Sequence, residues 1–439
     1  MSENLIAKDV EAAGLPARKA AQAILSVVLR KRRPLEAAVD EALARAKLSA
    51  RDAGFARAIA TETLRHFGQL DALIRHFMVK PVVPHRAGST VEILLAGACE
   101  LMVLGVAPHA AVDGANRLAQ ADPKALHFKP LINAVLRRVA GEGAKLTAAQ
   151  DTARLNTPDW LWTRWCENYS EATAREIALA HGAEPPLDLV FQEDASLEVA
   201  GAEKIAPNVM RLRDAGRIED LPDFKAGKWW VQDVAASIPA RLFGDIAGKP
   251  ALDLCAAPGG KTLQLAAMGA RVTAVDVSKE RLARVRENLA RTKLKAELVA
   301  ADIRDWMPKV PAPFVLLDAP CTATGTIRRH PDLPWIKSAA DIMASTTLQN
   351  EMLEAAAEMT APGGILVYAV CSLEPEEGVE QVEAFLARHK EFTRTALRAD
   401  EVFGDEKLIS RKGDLRTLPC HWRDKGGMDG FYAARLIRA

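Results

Sequence analysis

Apolar residues recur at spacings of three and four through the first third of the chain, which is the period of an amphipathic helix. One such stretch contains Ala20, Ala21, Ile24, Leu25, Val28 and Leu29, and another contains Ile93, Leu94, Ala98, Leu101 and Met102. The pattern predicts an all-α domain over residues 1–145. Its last strong helix is expected to close at Leu131–Arg138, with the glycines of Gly141-Glu142-Gly143 forming a linker.

The pattern changes between residues 146 and 228. After the break at Glu184-Pro185-Pro186, the segment Leu187–Phe191 alternates apolar and polar side chains, as half-buried strands do. We therefore predict a small α+β region here. Three tryptophans in this region, at positions 160, 162 and 165, have helical spacing and are expected to be packing residues.

From residue 229 to residue 439, apolar runs alternate with helical stretches. This alternation is typical of a doubly wound, Rossmann-like α/β domain with a parallel sheet. A final run, Gly430–Ile437, follows a long loop and is expected to be an antiparallel strand at the sheet edge. The predicted strands that precede it are Ala251–Cys255, Arg271–Asp276, Glu297–Ala300, Phe314–Asp318 and Ile365–Cys371.

Composition adds a charge asymmetry to this picture. The formal net charge is only +1, but residues 1–145 carry 21 Lys and Arg against 14 Asp and Glu, whereas the remaining 294 residues carry 37 against 43. A basic helical region can face phosphates, although solvated lysines and arginines on ordinary helices give similar counts. The asymmetry alone therefore does not identify a partner.

Cysteine usage and hydropathy limit the cellular setting. The six cysteines form no C-x-x-C pair, which argues against a zinc site and against a disulfide framework, so no metal is expected. No apolar run reaches the roughly 18 residues that a membrane span requires. The segment Met1–Asn4 shows no signal-peptide pattern. A cytoplasmic protein that does not act on membranes is expected.

The loop after the first predicted sheet strand has the form of a ligand-binding turn. It contains Gly260-Lys261-Thr262, but a phosphate-binding loop also needs a glycine where Cys255 stands. The dinucleotide pattern G-x-G-x-x-G is absent as well, which disfavours a nicotinamide oxidoreductase. A nucleotide cofactor without clamped phosphates remains, bound by backbone N–H groups at a helix N-terminus.

Aspartates follow successive strands of the predicted sheet. Asp276 stands where a carboxylate can accept both hydrogen bonds of a ribose diol, 23 residues after Asp253. Asp302 either accepts from an adenine amino group or caps the next helix, and the sequence leaves both open. Asp318 ends a later strand, three residues before Cys321.

Two cysteines, Cys321 and Cys371, lie at predicted strand ends, where a ligand crevice is expected. An isolated buried cysteine is usually a core residue, but the position of these two at strand ends favours a catalytic role. A thiolate that adds to C6 of a pyrimidine activates C5 as an acceptor for a methyl group. Asp318 could assist at N3 if it shares a proton, and the basic run Arg328-Arg329-His330 could hold phosphates or favour a thiolate.

Four motifs carry a resemblance to a known family. They are Cys255–Thr262, Asp318–Gly325, Ile327–Asp332 and Val370–Glu377. With them, the chain resembles the bacterial 16S ribosomal RNA cytosine-C5 methyltransferases of the Sun and Fmu type, which use S-adenosyl-L-methionine. Residues 17–138, including Asn133–Arg138, look like the NusB-type helical RNA-binding domain of this family. The resemblance departs from the family pattern at Thr322-Ala323, where serine and glycine are expected, and at Val370, where threonine is common.

The resemblance implies a role for each thiol and for the substrate. Cys371 would be the nucleophile at C6, while Cys321 would assist proton removal or product release. The substrate would be 16S rRNA, unassembled or in a partly assembled small subunit, held by residues 1–145 and 146–228, and a monomer is expected. The catalytic set is Cys371, Cys321 and Asp318. The cofactor-binding set is Cys255, Ala256, Ala257, Pro258, Gly259, Gly260, Lys261, Asp276, Asp302 and Asp318.

Two alternatives share parts of this assignment. A tRNA cytosine-C5 methyltransferase would use the same chemistry on another RNA. A catalytically idle RNA-binding or antitermination-like protein would use the helical domain alone, but the intact Cys321, Cys371 and Asp318 argue against it.

Overall fold

A computed structural model of the 439-residue chain describes residues 14–78, 80–82, 86–192, 199, 201–213 and 216–439. The segment Met1–Asn4, where no targeting signal is expected, lies outside these residues. The chain divides into two compact units, one reaching to Gly182 with the addition of residues 330–337, the other containing Ala183–Arg329 and Ser338–Ala439. The boundaries predicted at residues 145 and 228 stay predictions.

The first unit is all-α, as the periodicity predicts. Its helices bury their apolar stripes against one another, with Ile24, Leu25 and Leu64 fully buried. The helix that begins at Lys129 continues to Ala148, so the predicted linker at Gly141–Gly143 is wrong. The helices are α1 (Leu15–Lys31), α2 (Leu35–Ala46), α3 (Ala50–Arg65), α4 (Phe67–Phe77), α5 (Thr90–Met102), α6 (Pro108–Ala121), α7 (Lys129–Ala148), α8 (Thr152–Leu155), α9 (Asp159–Tyr169) and α10 (Glu171–His181). Trp165 is buried in α9, which confirms its packing role.

Residues 330–337 are also part of the helical unit, although they follow the Cys321 loop in sequence. Asp332 accepts a hydrogen bond of 2.9 Å from the backbone N–H of Leu35, the first residue of α2. The Trp335 indole donates to the carbonyl of Leu64 at 2.9 Å and packs against Phe67, with ring centroids 4.6 Å apart. A short helix of this segment is labelled α14 (Leu333–Ile336) for its place in the chain.

The second unit begins with a small antiparallel sheet, three of whose strands lie in the predicted α+β region 146–228, while the fourth begins at Trp229. Its strands are β1 (Leu187–Phe191), β2 (Ala202–Ala206), β3 (Val209–Leu212) and β4 (Trp229–Val231), in the order β2-β3-β1-β4. Inside it, Arg211 on β3 forms a bidentate ion pair with Asp188 on β1, and both side chains are at most 1% exposed.

The rest of this unit is an eight-stranded sheet in the order β10-β12-β9-β8-β5-β6-β7, with a short β11 paired to β12. Five neighbouring strands of this sheet, in the order β9-β8-β5-β6-β7, are parallel, as predicted. The late strand β12 is antiparallel, but it lies between β9 and β10, so its predicted edge position is wrong. The strands are β5 (Pro250–Leu254), β6 (Arg271–Asp276), β7 (Ala296–Ala300), β8 (Ala312–Asp318), β9 (Thr360–Val370), β10 (Phe392–Arg394), β11 (Leu415–Arg416) and β12 (Tyr432–Arg438).

Successive side chains of each central strand point to opposite faces of the sheet, and both faces are apolar. Helices therefore pack on both faces and form two hydrophobic cores. On β8, Leu316 belongs to one core, whereas Val315 and Leu317 belong to the other. Ser278 caps one of these helices by accepting from the backbone N–H of Arg281 at 3.1 Å. The helices are α11 (Val234–Arg241), α12 (Gly260–Ala267), α13 (Lys279–Thr292), α15 (Ala339–Met359) and α16 (Val379–Arg388).

The parallel strands place their carboxyl ends along one edge of the sheet, where ligands bind in open α/β folds. The predicted site residues lie at this edge: Cys255–Gly259 in the loop after β5, Asp276 and Asp318 at the ends of β6 and β8, and Cys321 and Cys371 in the loops after β8 and β9. Within the described ranges, no helix is long and apolar enough to span a bilayer.

Candidate active site

The loop between β5 and α12 turns the chain sharply at the edge of the sheet. Cys255 has φ 62° and Gly259 has φ 104°, both in the left-handed region. At Gly259 this φ favours glycine, since a Cβ atom would also lie about 3 Å from the side chain of Val285. Helix α12 then begins at Gly260, so the backbone N–H groups of its first turn have no acceptor inside the helix and remain available to an anionic ligand group.

Asp276, at the end of β6, holds this loop in place. Its side chain is buried, and its two oxygens accept 3.0 Å hydrogen bonds from the backbone N–H groups of Ala257 and Ser278. Arg281 lies 3.6 Å from the same carboxylate and also donates to the carbonyl of Ala257. The carboxylate therefore supports the loop directly and keeps further lone pairs that can accept from ligand hydroxyls.

Asp302 lies after β7 and is engaged locally. It accepts from the guanidinium of Arg304 at 2.6 Å and from the backbone N–H of the same residue at 3.0 Å. These hydrogen bonds lower the pKa of Asp302. Of the two interpretations that the sequence left open, helix capping is wrong, because a turn follows Asp302 and the next element is the strand β8, while an adenine contact stays a prediction.

Lys261 connects the loop to the end of β8. Its ammonium group donates to Asp318 at 2.7 Å, and its side chain is 9% exposed. Burial alone would lower the pKa of Lys261, but the ion pair with Asp318 outweighs burial and raises it, with a further contribution from the sulfur of Cys371. Lys261 is therefore a cation beside both Asp318 and Cys371.

Asp253 is a second carboxyl beneath this ion pair. It is fully buried on β5 and accepts from the hydroxyl of Thr262, while its other oxygen has no hydrogen-bond partner among the described residues. Burial raises the pKa of Asp253 to about 7, and the carboxylates of Asp318 and Asp276 add to the shift. The group is thus protonated over much of the acidic range.

Replacing Asp253 by asparagine should therefore stabilise the protein in a pH-dependent way. The folded state holds a proton on Asp253 between about pH 4 and pH 7 that the unfolded chain releases, so wild-type stability falls as pH rises through this window. Asparagine resembles the neutral acid, and we expect a gain of roughly 2–4 kcal/mol at pH 8 that vanishes near pH 4. Urea denaturation at both pH values measures it, and an equal effect at both would contradict it.

The two predicted catalytic thiols lie together at the ends of β8 and β9. The sulfur atoms of Cys321 and Cys371 are 3.4 Å apart. The loops that carry them are also joined through backbone hydrogen bonds, from Ala319 to the carbonyl of Ala369 at 2.9 Å and from Gly325 to the carbonyl of Cys371 at 3.0 Å. The hydrogen bond with Cys371, together with burial, raises the pKa of Cys321 well above its usual range, so Cys321 is held as a thiol.

A cavity of about 430 Å³ opens at this edge of the sheet. Of the two thiols, Cys371 contributes to its wall, together with Asp318 and Lys261. The ring of Phe431 also lines the cavity and lies 5.0 Å from the ammonium group of Lys261. Ala256, Pro258 and Gly260 complete the contribution of the cofactor loop. The predicted residues of the cofactor loop, Asp318 and Cys371 thus lie around one cavity. Asp302 is not among the residues that line this cavity and binds Arg304 instead.

The two arginines after the Cys321 loop bind buried carboxylates, whereas the sequence suggested that they hold phosphates or favour a thiolate. Arg328 and Arg329 form ion pairs with two buried carboxylates, Asp233 and Asp429, at distances from 2.6 to 3.4 Å. Although burial opposes it, these arginines lower the pKa of Asp233 to about 2. The proposed phosphate-holding role is therefore wrong for Arg328, which is 2% exposed, whereas Arg329 still reaches the cavity wall.

Sequence reasoning missed several residues of this site. Phe431, Asp233 and Asp429 line the cavity, and Glu377 lies beneath the thiols, where it accepts hydrogen bonds from both cysteine loops. Glu377 could have been found as an acidic residue inside the Cys371 motif. Asp233 and Asp429 are far from the motifs in sequence and carry no local signal. Among the described residues, no group of three or more His, Cys, Asp or Glu side chains is arranged to hold a metal ion.

Family models match most of the chain. Residues 246–437 match the model described as 16S rRNA methyltransferase RsmB/F, and residues 15–141 match the NusB family. The match to the NusB family confirms the prediction that residues 17–138 resemble a NusB-type helical domain.

Curated relatives are similar over nearly their whole length. The ribosomal RNA small subunit methyltransferase B of Pseudomonas putida is 37% identical over 423 residues, which is 89% of this chain and 92% of the relative. The protein of the same name from Yersinia enterocolitica is 34% identical, with the same coverage of 89% and 92%.

Solved structures share the fold. One described as PH0851 has a TM-score of 0.73 at 22% identity and covers 95% of this chain and 98% of its own. NSun6 from Pyrococcus horikoshii, solved with SFG, has a TM-score of 0.54 at 19% identity and covers 64% of this chain and 98% of its own.

Proposed function

The chain belongs to the RsmB/Sun family of S-adenosylmethionine-dependent ribosomal RNA methyltransferases, and we propose that it forms 5-methylcytosine in 16S rRNA through a covalent bond between Cys371 and C6 of the base. The observation that carries this proposal is the position of the Cys371 sulfur in the wall of the cavity, beside Lys261 and Asp318. The thiol provides the nucleophile for addition to a pyrimidine ring, and the carboxyl beside it can transfer the proton that the addition moves.

The cofactor loop fits S-adenosylmethionine. The first turn of α12 offers unpaired backbone N–H groups to a carboxylate, and Asp276 keeps acceptor capacity for ribose hydroxyls. Residues Cys255–Lys261, Asp276, Asp302 and Asp318 would hold the cofactor. When bound, S-adenosylmethionine supplies an electrophilic methyl group to the cavity.

The geometry supports Cys371 as the nucleophile. Its side chain lines the cavity beside Lys261 and Asp318, where a target base can reach it. Its partner Cys321 is held as a thiol. As Cys371 adds to C6, its thiol proton would pass to the Asp318 carboxylate, which Lys261 orients, and from there to N3 of the base, so that the addition leaves the ring neutral.

Two further residues complete the assignment. Phe431 presents an aromatic ring to the cavity, on which the target base can stack once it has left its helix. Cys321 would act at the end of the reaction. Its S–H group lies within hydrogen-bond distance of the Cys371 sulfur and can stabilise the departing thiolate when the bond to C6 breaks and C5 loses its proton to water.

The substrate assignment rests on the relatives named as small-subunit rRNA methyltransferases and on the NusB region. We assign RNA binding to residues 1–145 and 146–228, through phosphate contacts and shape, with a single-stranded loop or bulge as the target, since such bases can leave the stack at low cost. The protein would act as a cytoplasmic monomer on free 16S rRNA or a partly assembled small subunit.

The test is transfer of labelled methyl from S-adenosylmethionine to unmodified 16S rRNA and to unmodified tRNA in parallel, followed by nucleoside analysis. Label recovered as 5-methylcytidine in 16S rRNA alone is expected. Label in tRNA alone would show that tRNA is the substrate, and label in another nucleoside would overturn the proposal that cytosine C5 is methylated. A small-subunit particle assembled without the modification serves as a third substrate.

A further inference from the structure

Glu377 is a buried carboxylate that the reaction proposed above does not use. It is 0% exposed and closes the motif that begins at Val370. Burying a carboxylate is costly unless hydrogen bonds replace its hydration. A glutamate at this position therefore has to be explained by the groups that it binds.

The partners of Glu377 come from both cysteine loops. From the Cys321 loop, Thr322 donates to it twice, through its backbone N–H at 2.8 Å and through its hydroxyl. From the Cys371 loop, Ser372 donates through its hydroxyl at 2.5 Å. Gln349 on α15 adds a fourth hydrogen bond at 3.2 Å. These donors use both carboxylate oxygens, so one side chain joins the residues that directly follow the two thiols.

The surrounding contacts fix Glu377 itself. Its own carbonyl accepts a 2.7 Å hydrogen bond from the hydroxyl of Tyr368, which is buried on β9. The thiol loops are tied further by the hydroxyl of Thr324, which accepts from the backbone N–H of Leu373 at 3.0 Å. Glu377 is thus anchored to the sheet and cannot shift with either loop alone.

We propose that Glu377 is a positioning residue that locks the Cys321 loop to the Cys371 loop, so that the Cys321 thiol stays within reach of the Cys371 sulfur when the product is released. This inference rests on the proposed function, because it concerns the step in which the bond between Cys371 and C6 breaks and the electron pair remains on the sulfur. The negative charge of Glu377 also contributes to the raised pKa of Cys321, which keeps this thiol protonated as a donor.

The inference predicts a defect in release after replacement of Glu377 by glutamine. The amide is isosteric, but it loses the charge and one acceptor oxygen. It can therefore accept either from the two hydroxyls that bind Oε2 or from the Thr322 N–H and the Gln349 amide that bind Oε1, but not from both pairs. A displacement of about 1 Å at a reacting group costs up to roughly 100-fold in rate. We expect kcat to fall roughly 10–100-fold with KM for RNA unchanged, and a covalent RNA–protein adduct to accumulate as a shifted band under denaturing conditions.

Four comparison variants make the test decisive. Glu401→Gln alters another buried glutamate of the same unit, which pairs with Arg435 and does not belong to the thiol loops, and should lower stability without trapping adduct. Thr322→Val and Ser372→Ala remove one donor each and should trap intermediate amounts, so that the test stands even if Glu377→Gln does not fold. Cys321→Ala is the positive control for blocked release.

Each outcome has a stated meaning. Adduct in Glu377→Gln but not in Glu401→Gln supports the inference. If Cys321→Ala traps adduct but folded Glu377→Gln shows only the wild-type amount of adduct, the positioning role alone is overturned. If Glu377→Gln does not fold, wild-type amounts of adduct in both Thr322→Val and Ser372→Ala have the same meaning. Absence of adduct in Cys321→Ala overturns the release step of the proposed function, and the inference with it.

Discussion

Replacing Cys371 by alanine is expected to abolish methyl transfer, with a loss of roughly 10⁴–10⁶-fold, the range seen when an enzyme loses the group that bonds to its substrate. The Cys371 sulfur lies in the cavity wall beside Lys261, so its removal eliminates addition to C6 and leaves C5 unactivated. Incorporation of labelled methyl into unmodified 16S rRNA, at saturating S-adenosylmethionine, measures the loss.

The companion variant Cys321→Ala distinguishes the two thiols. It retains the nucleophile, so addition and methylation should proceed, while release slows and a covalent RNA adduct accumulates. Cys420→Ala, a cysteine of the same unit without an assigned role, is the matched control and should retain activity. If Cys371→Ala trapped the adduct and Cys321→Ala were inert, the two roles would have to be exchanged.

The second large effect is on stability. Replacing Arg211 by methionine should destabilise the unit that contains the small sheet by roughly 3–5 kcal/mol, because the buried carboxylate of Asp188 would lose its bidentate partner. Arg211 also donates to the carbonyl of Gly427 at 2.7 Å, and that acceptor would be left unpaired. The midpoint of urea denaturation at pH 8 measures the loss.

The pH dependence and a double variant check the cause. Burial already raises the pKa of Asp188, and loss of Arg211 raises it further, so the folded variant binds this proton more readily as pH falls and its deficit at pH 5 should be smaller than at pH 8. Combining Arg211→Met with Asp188→Leu removes both charges and should restore much of the stability. A deficit that is the same at both pH values and unchanged in the double variant would assign the effect to packing.

Local patterns in the sequence determined the elements and the edge on which the site lies. The apolar runs from Ala251 to Cys371 correspond to the parallel strands β5 to β9, since a strand buried on both faces reads as a continuous apolar run. An open parallel sheet places the carboxyl ends of its strands together, so the sequence alone assigns the loop at Cys255–Lys261, Asp318 and the two thiols to one crevice. Hydropathy also located the helical region.

Only the tertiary structure decided the contacts between residues that are distant in sequence. It places β12 inside the sheet, builds residues 330–337 into the helical unit, and turns Arg328 inward to Asp233 and Asp429. It also brings Glu377 beneath both thiol loops. The physical reason is that periodicity reports whether a position is buried, whereas the partner of a buried charge is chosen by how separate elements pack, and each such charge must find a partner to repay its lost hydration.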